Sequence, residues 1–335
     1  MSLCRLPEDM LRCISEFCDL DTRCAVTCTN SKVNSSFLGS VTLSLARSKD
    51  FLDDQEFRKR ILRRVAYAKS NMNLQIEING SVFFNASDIE LLSSVRSLHL
   101  HYKNARLNSD WVNNVRCIQT LIKLRFLDYN ISNVSALAGL MSLTSLNLES
   151  TEVSDLSALA GLMSLTALNL ESSQVSDLSA LSALTNLTEL LLGTTQVSDV
   201  SSLVGLTNLT HLDLSDTDVA DISALAGLTN LTELLLDGTQ VSDVSSLVGL
   251  TKLTHLDLGG TDVADISALA GLTRLSDLDL EGTGVSDVSA LAGLTNLTLL
   301  ILSCTEVSDV SALAGLTQLT IEGFESDYSE SDFSE

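Results

Sequence analysis

Residues 187–206 read "LTELLLGTTQVSDVSSLVGL" and residues 231–250 read "LTELLLDGTQVSDVSSLVGL". The two stretches stand 44 positions apart and differ only at 193/237 and 194/238. The period beneath this doubling is half as long. From Leu143, leucine returns at 165, 187, 209, 231, 253, 275, 297 and 319, framing eight full units over 143–318 and a stub. Within 209–230 the apolar positions are Leu209, Leu212, Leu214, Val219, Ile222, Leu225 and Leu228, with Thr217 among them. Upstream, 121–142 fits the same pattern in degenerate form through Leu121, Leu124, Phe126, Ile131, Val134, Leu137 and Leu140. "VRSLHLHYKNARL" (95–107) and "NLQIEINGSVFF" (73–84) read as two earlier, irregular units.

Each unit dictates a local structure. L-x-L has period two and predicts a short strand with both leucines on one face. Asp221 offers a side-chain acceptor to the free amides of a short helical turn, "ISALAG". Gly227 suits a left-handed residue closing that turn. Thr217 is expected to join a hydroxyl row between coils, a choice repeated at Thr151, Ser173, Thr195, Thr239, Thr261, Thr283 and Thr305. With 45% apolar residues but only 4% aromatics and one proline, the core must be aliphatic. A single coil cannot bury its stripe alone, so the units must stack.

The pattern L-x-x-L-x-L-x-x-T-x-V-x-D-x-S-x-L-x-x-L-T-x resembles the leucine-rich repeat. Its "DISALAGLTNL" form is similar to the 22-residue repeats of internalins and of the leucine-rich regulatory subunit of protein phosphatase one. The resemblance implies an α/β fold, a right-handed solenoid with a parallel concave sheet and short 3-10 or helical turns. The solenoid is placed at 72–322.

Residues alternating with the inward leucines line the concave sheet. Candidate partner-binding residues there are Glu189, His211, Asp213, Glu233, Asp237, His255, Asp257, Asp277, Asp279 and Glu281. Charge sharpens this reading. Residues 1–70 hold 12 Lys/Arg against 9 Asp/Glu, whereas 143–335 hold 2 against 29. Such a region repels nucleic acid and anionic membranes and favours a basic protein partner. The plainer reading of the same face is an exposed polar sheet that confers solubility. The near-identity of the coils within 187–274 points to length and geometry there, with specificity in the divergent coils 73–142 and 275–303.

The N-terminal stretch "LPEDMLRCISEFCDLDTRCAVTCTNSKVNSSF" (6–37) places Met10, Leu11, Ile14 and Phe17 at helical spacing after Pro7. A second helix is expected to carry Cys24, Ala25 and Cys28. The segment resembles the F-box, although Lys32-Val33 stands where an F-box usually has tryptophan. That resemblance implies a small all-α segment at 1–45. In it Leu6, Pro7, Met10, Leu11, Ile14 and Phe17 meet a Skp-family adaptor and, through it, the cullin complex of an SCF-type ubiquitin ligase. The competing reading is an amphipathic cap on the first coil. Residues 46–71 are read as a helical connector or cap. The acidic tail 323–335 either folds back through aromatic residues over the open end or is disordered.

The chain has no nucleotide-binding loop, nucleophile elbow or H-E-x-x-H. The expectation is a non-catalytic protein without cofactor or metal. Its opening "MSLCRLPEDM" lacks the apolar core of an export signal. The expected compartment is therefore the cytoplasm, with the nucleus open to it, and the seven cysteines are expected to be reduced thiols. Two functions follow: substrate recognition for an SCF-type ligase, or a scaffold or phosphatase regulator that holds a basic partner on its acidic face.

Overall fold

The protein is described from a computed structural model over residues 25–29, 40–45, 73–79, 97–103, 118–119, 121–127 and 131–324. The chain divides at Leu168/Asn169 into two compact units.

In the first unit, β1 (Ala25–Thr29) pairs antiparallel with β2 (Ser40–Leu45). From β2 onward every pairing is parallel, through β3 (Asn73–Asn79), β4 (Ser97–Lys103), β5 (Leu121–Leu127) and β6 (Ser145–Asn147). Two expectations change here. Ala25–Thr29 is a strand where a helix carrying Ala25 and Cys28 is expected. Its sequence, AVTCT, is rich in β-branched residues, which lose side-chain freedom in a helix and pack well in a sheet. The parallel ladder also begins at Ser40, well before residue 72. The proposed adaptor contacts Leu6, Pro7, Met10, Leu11, Ile14 and Phe17, the connector 46–71 and the tail from 325 lie outside the described residues.

β7 (Ala167–Asn169) falls on the division. The second unit then runs through β8 (Glu189–Leu191), β9 (His211–Asp213), β10 (Glu233–Leu235), β11 (His255–Asp257), β12 (Asp277–Asp279), β13 (Leu299–Ile301) and β14 (Thr320–Glu322). Consecutive strands from β8 to β14 pair in parallel. Each coil returns through a 3-10 turn, such as Ser223–Gly227 or Ser245–Gly249. This is the leucine-rich-repeat solenoid that the 22-residue period predicts.

The core is the stack of aliphatic stripes. In the coil 209–230, Leu209, Leu212, Leu214, Val219, Ile222, Leu225 and Leu228 are all at most 1% exposed. Strands of three residues make few ladder bonds, so pairing extends past both ends. Leu214 N–H donates to the Leu235 carbonyl at 2.9 Å, Asp216 N–H to the Asp237 carbonyl at 2.8 Å, and Asp218 N–H to that of Val197 in the preceding coil at 3.0 Å.

The polar devices partly match expectation. Asp221 Oδ1 accepts the Ser223 N–H at 2.8 Å and so holds the entry to the 3-10 turn. Asp155, Asp177, Asp199, Asp243, Asp265, Asp287 and Asp309 repeat the bond, each at 2.8 Å. The donated backbone N–H holds each of these carboxyls below its ordinary range. Thr217, however, does not reach the next coil. Its hydroxyl donates to the Leu214 carbonyl of its own coil at 2.6 Å. The row between coils belongs to another threonine: Thr210 donates to the Thr188 carbonyl at 2.9 Å, Thr232 to that of Thr210 at 3.0 Å, and Thr254 to that of Thr232 at 2.9 Å.

The left-handed residue is also displaced from its expected place. Gly227 is not among the residues with positive φ. In the regular coils the left-handed position follows the strand instead, at Ser150, Ser172, Thr194, Asp216, Gly238, Gly260, Gly282, Cys304 and Gly323, whereas Gly139, in the place of Gly227 within the coil 121–142, does adopt positive φ. Gly238 shows why glycine is favoured in its coil: an added Cβ would lie 2.5 Å from Asp216 Oδ1. At the end of the array the 22-residue frame slips. Leu300 faces Ile321, a step of 21, which turns Ile321 to the inward face.

Candidate functional site

The outward faces of β8 to β13 form two parallel columns. Register pairing places Glu189, His211, Glu233, His255, Asp277 and Leu299 in one column. Leu191, Asp213, Leu235, Asp257, Asp279 and Ile301 form the other. Their backbones are held by the buried leucines between them, Leu190, Leu212, Leu234, Leu256, Leu278 and Leu300, so the outward side chains project from a fixed base.

Glu189, Leu191, His211, Leu212, Asp213, Glu233 and Leu235 line a shallow concavity of about 240 Å³. Of the candidate residues, this brings together Glu189, His211, Asp213 and Glu233. His255, Asp257, Asp277 and Asp279 continue the same columns on β11 and β12. Asp237 and Glu281 stand just past their strands, in the same acidic surroundings. Leu191 and Leu235, which the alternation with the inward leucines already places on the concave sheet, join the acidic candidates in the site. Their period-two spacing from the inward leucines is the sequence signal that finds them.

The two histidines have the same environment two strands apart. His211 Nε2 lies 3.6 Å from Glu233 Oε2, and its Nδ1 lies 2.8 Å from Thr210 Oγ1. His255 Nε2 lies 3.0 Å from Asp277 Oδ2, with Nδ1 2.9 Å from Thr254 Oγ1. Each ring is thus engaged by a carboxylate on the next strand. Asp213 is only 8% exposed, and its Oδ1 accepts the Ser215 N–H at 2.8 Å. Space beside it comes from Gly193, where a Cβ would sit 3.2 Å from Asp213 Oδ2. Asp257 accepts the Gly259 N–H at 2.9 Å. Burial, reinforced by the charges of Asp237, Asp279 and Asp213, nevertheless pushes its pKa up to about 6, against the opposing pull of that N–H.

This arrangement can attract cations and cover apolar side chains. No group of three or more His, Cys, Asp or Glu side chains able to hold a metal ion occurs among the described residues. No helix of the described residues is long and apolar enough to cross a membrane.

Comparison with known proteins agrees with this architecture. Leucine Rich repeats in two copies match residues 207–249, and a further Leucine Rich repeat matches 249–270. No curated protein matches the chain. Among solved structures, internalin InlF of Listeria monocytogenes is 28% identical over 76% of this chain and 80% of its own, with a TM-score of 0.62. Internalin C2 of the same organism is 35% identical over 63% of this chain and 91% of its own, with a TM-score of 0.54. The plant peptide hormone receptor RGFR1, solved in complex with RGF2, shares the fold at 19% identity, covering 77% of this chain and 48% of its own at a TM-score of 0.59. The chain is a leucine-rich-repeat protein with internalin-like structural neighbours, and its solenoid is a protein-interaction scaffold.

Proposed function

We propose that this scaffold holds a basic segment of a partner protein on the outward face of β8 to β12, and that it works by binding rather than catalysis. The observation that carries this reading is the near-buried Asp213 set between Leu191 and Leu235, with Asp257 in the same column. A carboxylate in that setting is attracted to a lysine or arginine, and closure over it would also cover the leucines. In the second unit no cation of the columns competes: its Lys and Arg are Lys252 and Arg274, both outside the strands. A regulator that docks a basic enzyme, such as a phosphatase, falls within this reading, and the cytoplasm is its proposed location.

The test is titration of the full chain with a fluorescent Lys/Arg-rich peptide. Affinity is expected to fall steeply as salt rises, because exposed charges separated by more than about 10 Å are largely screened at 0.1 M. It is expected to fall further in Glu233→Gln/Asp257→Asn at constant salt. Equal binding by parent and double variant removes the reading.

A second reading rests on the "LPEDMLRCISEF" stretch at 6–17. We propose that it recruits a Skp-family adaptor, making the solenoid the target-binding arm of an SCF-type ligase. Co-purification of the adaptor with the full chain, abolished by Leu6→Ala/Pro7→Ala, is the expected result. Failure of the parent chain to retain the adaptor sinks this second reading and leaves the first untouched.

A further inference from the structure

The column Leu191, Asp213, Leu235, Asp257 alternates apolar and acidic groups on four successive strands. Parallel neighbours in a sheet stand about 4.8 Å apart, so these side chains fall at about 0, 4.8, 9.6 and 14.4 Å along a line crossing the strands. An occupant that satisfies all four must present apolar, cationic, apolar and cationic groups at that spacing on one face.

Backbone geometry chooses among occupants. In an α-helix, residues i, i+3, i+7 and i+10 lie on one face at about 0, 4.5, 10.5 and 15.0 Å. Every one falls within about 1 Å of a strand position. In an extended segment, one-face residues recur about every 6.8 Å, so the third already overshoots the third strand by about 4 Å. In the neighbouring column the carboxylates alternate with histidines, Glu233 lying 3.6 Å from His211 and Asp277 3.0 Å from His255, so the alternation of leucine with carboxylate belongs to the column of Asp213 and Asp257. Asp279 on β12 extends the acidic run by one strand, and Ile301 on β13 follows with an apolar group before Glu322 on β14.

We infer that the occupant of this face is a basic amphipathic α-helix lying across the strands, with leucine-like residues over Leu191 and Leu235 and lysine or arginine over Asp213 and Asp257. This rests on the basic-partner reading above and adds to it the secondary structure, the orientation and the heptad-like order of the partner. The 44-residue doubling acquires a meaning from it. Two coils are the smallest unit that repeats one apolar and one acidic position, matching the seven-residue repeat of a helix face.

The experiment uses the full chain and three synthetic peptides of identical Leu and Lys content, two of them helical. One carries Leu at i and i+7 with Lys at i+3 and i+10, and one spreads the same residues evenly round the helix. The third keeps the first order but has a central proline, which breaks the helix. Fluorescence anisotropy reads the affinities. The in-register peptide is expected to bind about tenfold more tightly than either other, the effect of covering one leucine. Leu191→Ser/Leu235→Ser, two half-exposed positions whose change leaves the core intact, is expected to erase that preference. Equal binding of all three peptides overturns the helix and keeps the basic-partner reading. Binding of none overturns both. A preference that survives the double variant overturns the assigned face.

Discussion

In the first unit, β3, β4 and β5 are seven residues long, and successive strands are 24 positions apart, as where Asn73 faces Ser97 and His99 faces Lys123. In the second, β8 to β13 are three residues long, and the step is 22, as where His211 faces Glu233. A longer strand makes more backbone hydrogen bonds per coil. A three-residue strand makes few and depends on its aliphatic stripe. The strict repeat of 143–318 coincides with the three-residue strands, and the looser sequence before it with the seven-residue ones. The outward columns differ as well. On β5 they carry Lys123 and Arg125, the latter 3.6 Å from Glu149, whereas each strand from β8 to β12 carries at least one carboxylate.

The largest expected effects concern register. Removal of half a coil, 209–219, sets Ala220 and Ser223 where Leu209 and Leu212 now stand, and is expected to abolish the cooperative transition. Removal of 75–98, one step of 24 in the first unit, joins Leu74 to His99 and keeps the alternation of faces. Its flanking coils are not copies of the one removed, so it is still expected to lower the melting temperature sharply. Removal of 209–230 sets Asn208 directly before Leu231, just as Asn208 now precedes Leu209. It brings together the near-identical coils 187–208 and 231–252, and the shortened protein is expected to unfold cooperatively, close to the parent. Circular dichroism melts of the three deletions decide it. Equal melts for the two whole-coil cuts break the comparison.

Next in size is the stripe itself. Leu234 is fully buried, and Leu234→Ala is expected to cost about 2–5 kcal/mol in urea unfolding. Ile321, inward but only half-buried on the last described strand, is expected to cost about 1–2 kcal/mol when changed to alanine, since less surface is covered there. A smaller effect of opposite sign belongs to Ser173. It occupies the buried threonine position at 2% exposure, but its hydroxyl has no hydrogen-bond partner, whereas Thr195 donates to the Leu192 carbonyl at 2.6 Å. Ser173→Ala removes an unsatisfied buried group and is expected to stabilise by about 1 kcal/mol, while Thr195→Ala destabilises by about the same amount.

How much of this is legible in the sequence follows from what each position interacts with. The stripe from Leu143 to Leu316 is legible because burial admits only aliphatics at a fixed period. The Asp221 bond is legible because it is local, reaching two residues along the chain. Thr217 misleads because a hydroxyl can donate along its coil or across to the next, and only the turn geometry puts the Leu214 carbonyl nearer. Gly227 misleads because glycine tolerates either sign of φ, while Ser150, Thr194 and Asp216 adopt the left-handed conformation without being glycine. β1 is hidden because a five-residue stretch with Cys24 and Cys28 four apart suits a helix face as well as a strand. Of the site, the column order follows from the period of two. The burial of Asp213 does not, since it depends on Gly193 one coil earlier leaving room.

The smallest expected effect tests the acidic columns against the basic ones. The Asp257 carboxyl ionises with a pKa of about 6, above the ordinary aspartate value of about 3.9 that holds in the unfolded chain. Between those two values the folded protein holds a proton that the unfolded chain has released, so stability falls as pH rises through this window. The penalty is complete above about pH 6 and absent below about pH 4. Asp257→Asn does not titrate and keeps an oxygen for the Gly259 N–H. The variant is therefore expected to melt slightly higher than the parent at about pH 7.5, with the gap closing by about pH 4. The gap stays small because solvent screens a half-exposed carboxylate. Binding runs the other way, since a lysine or arginine needs the ionised form. The parent's affinity for a basic helix is expected to strengthen from about pH 5 to about pH 7, and Asp257→Asn to reduce that gain. A melting gap that is the same at both ends of the pH range would show that Asp257 ionises as an ordinary surface aspartate, and the contrast between the acidic and basic columns would then carry no energetic weight at this position.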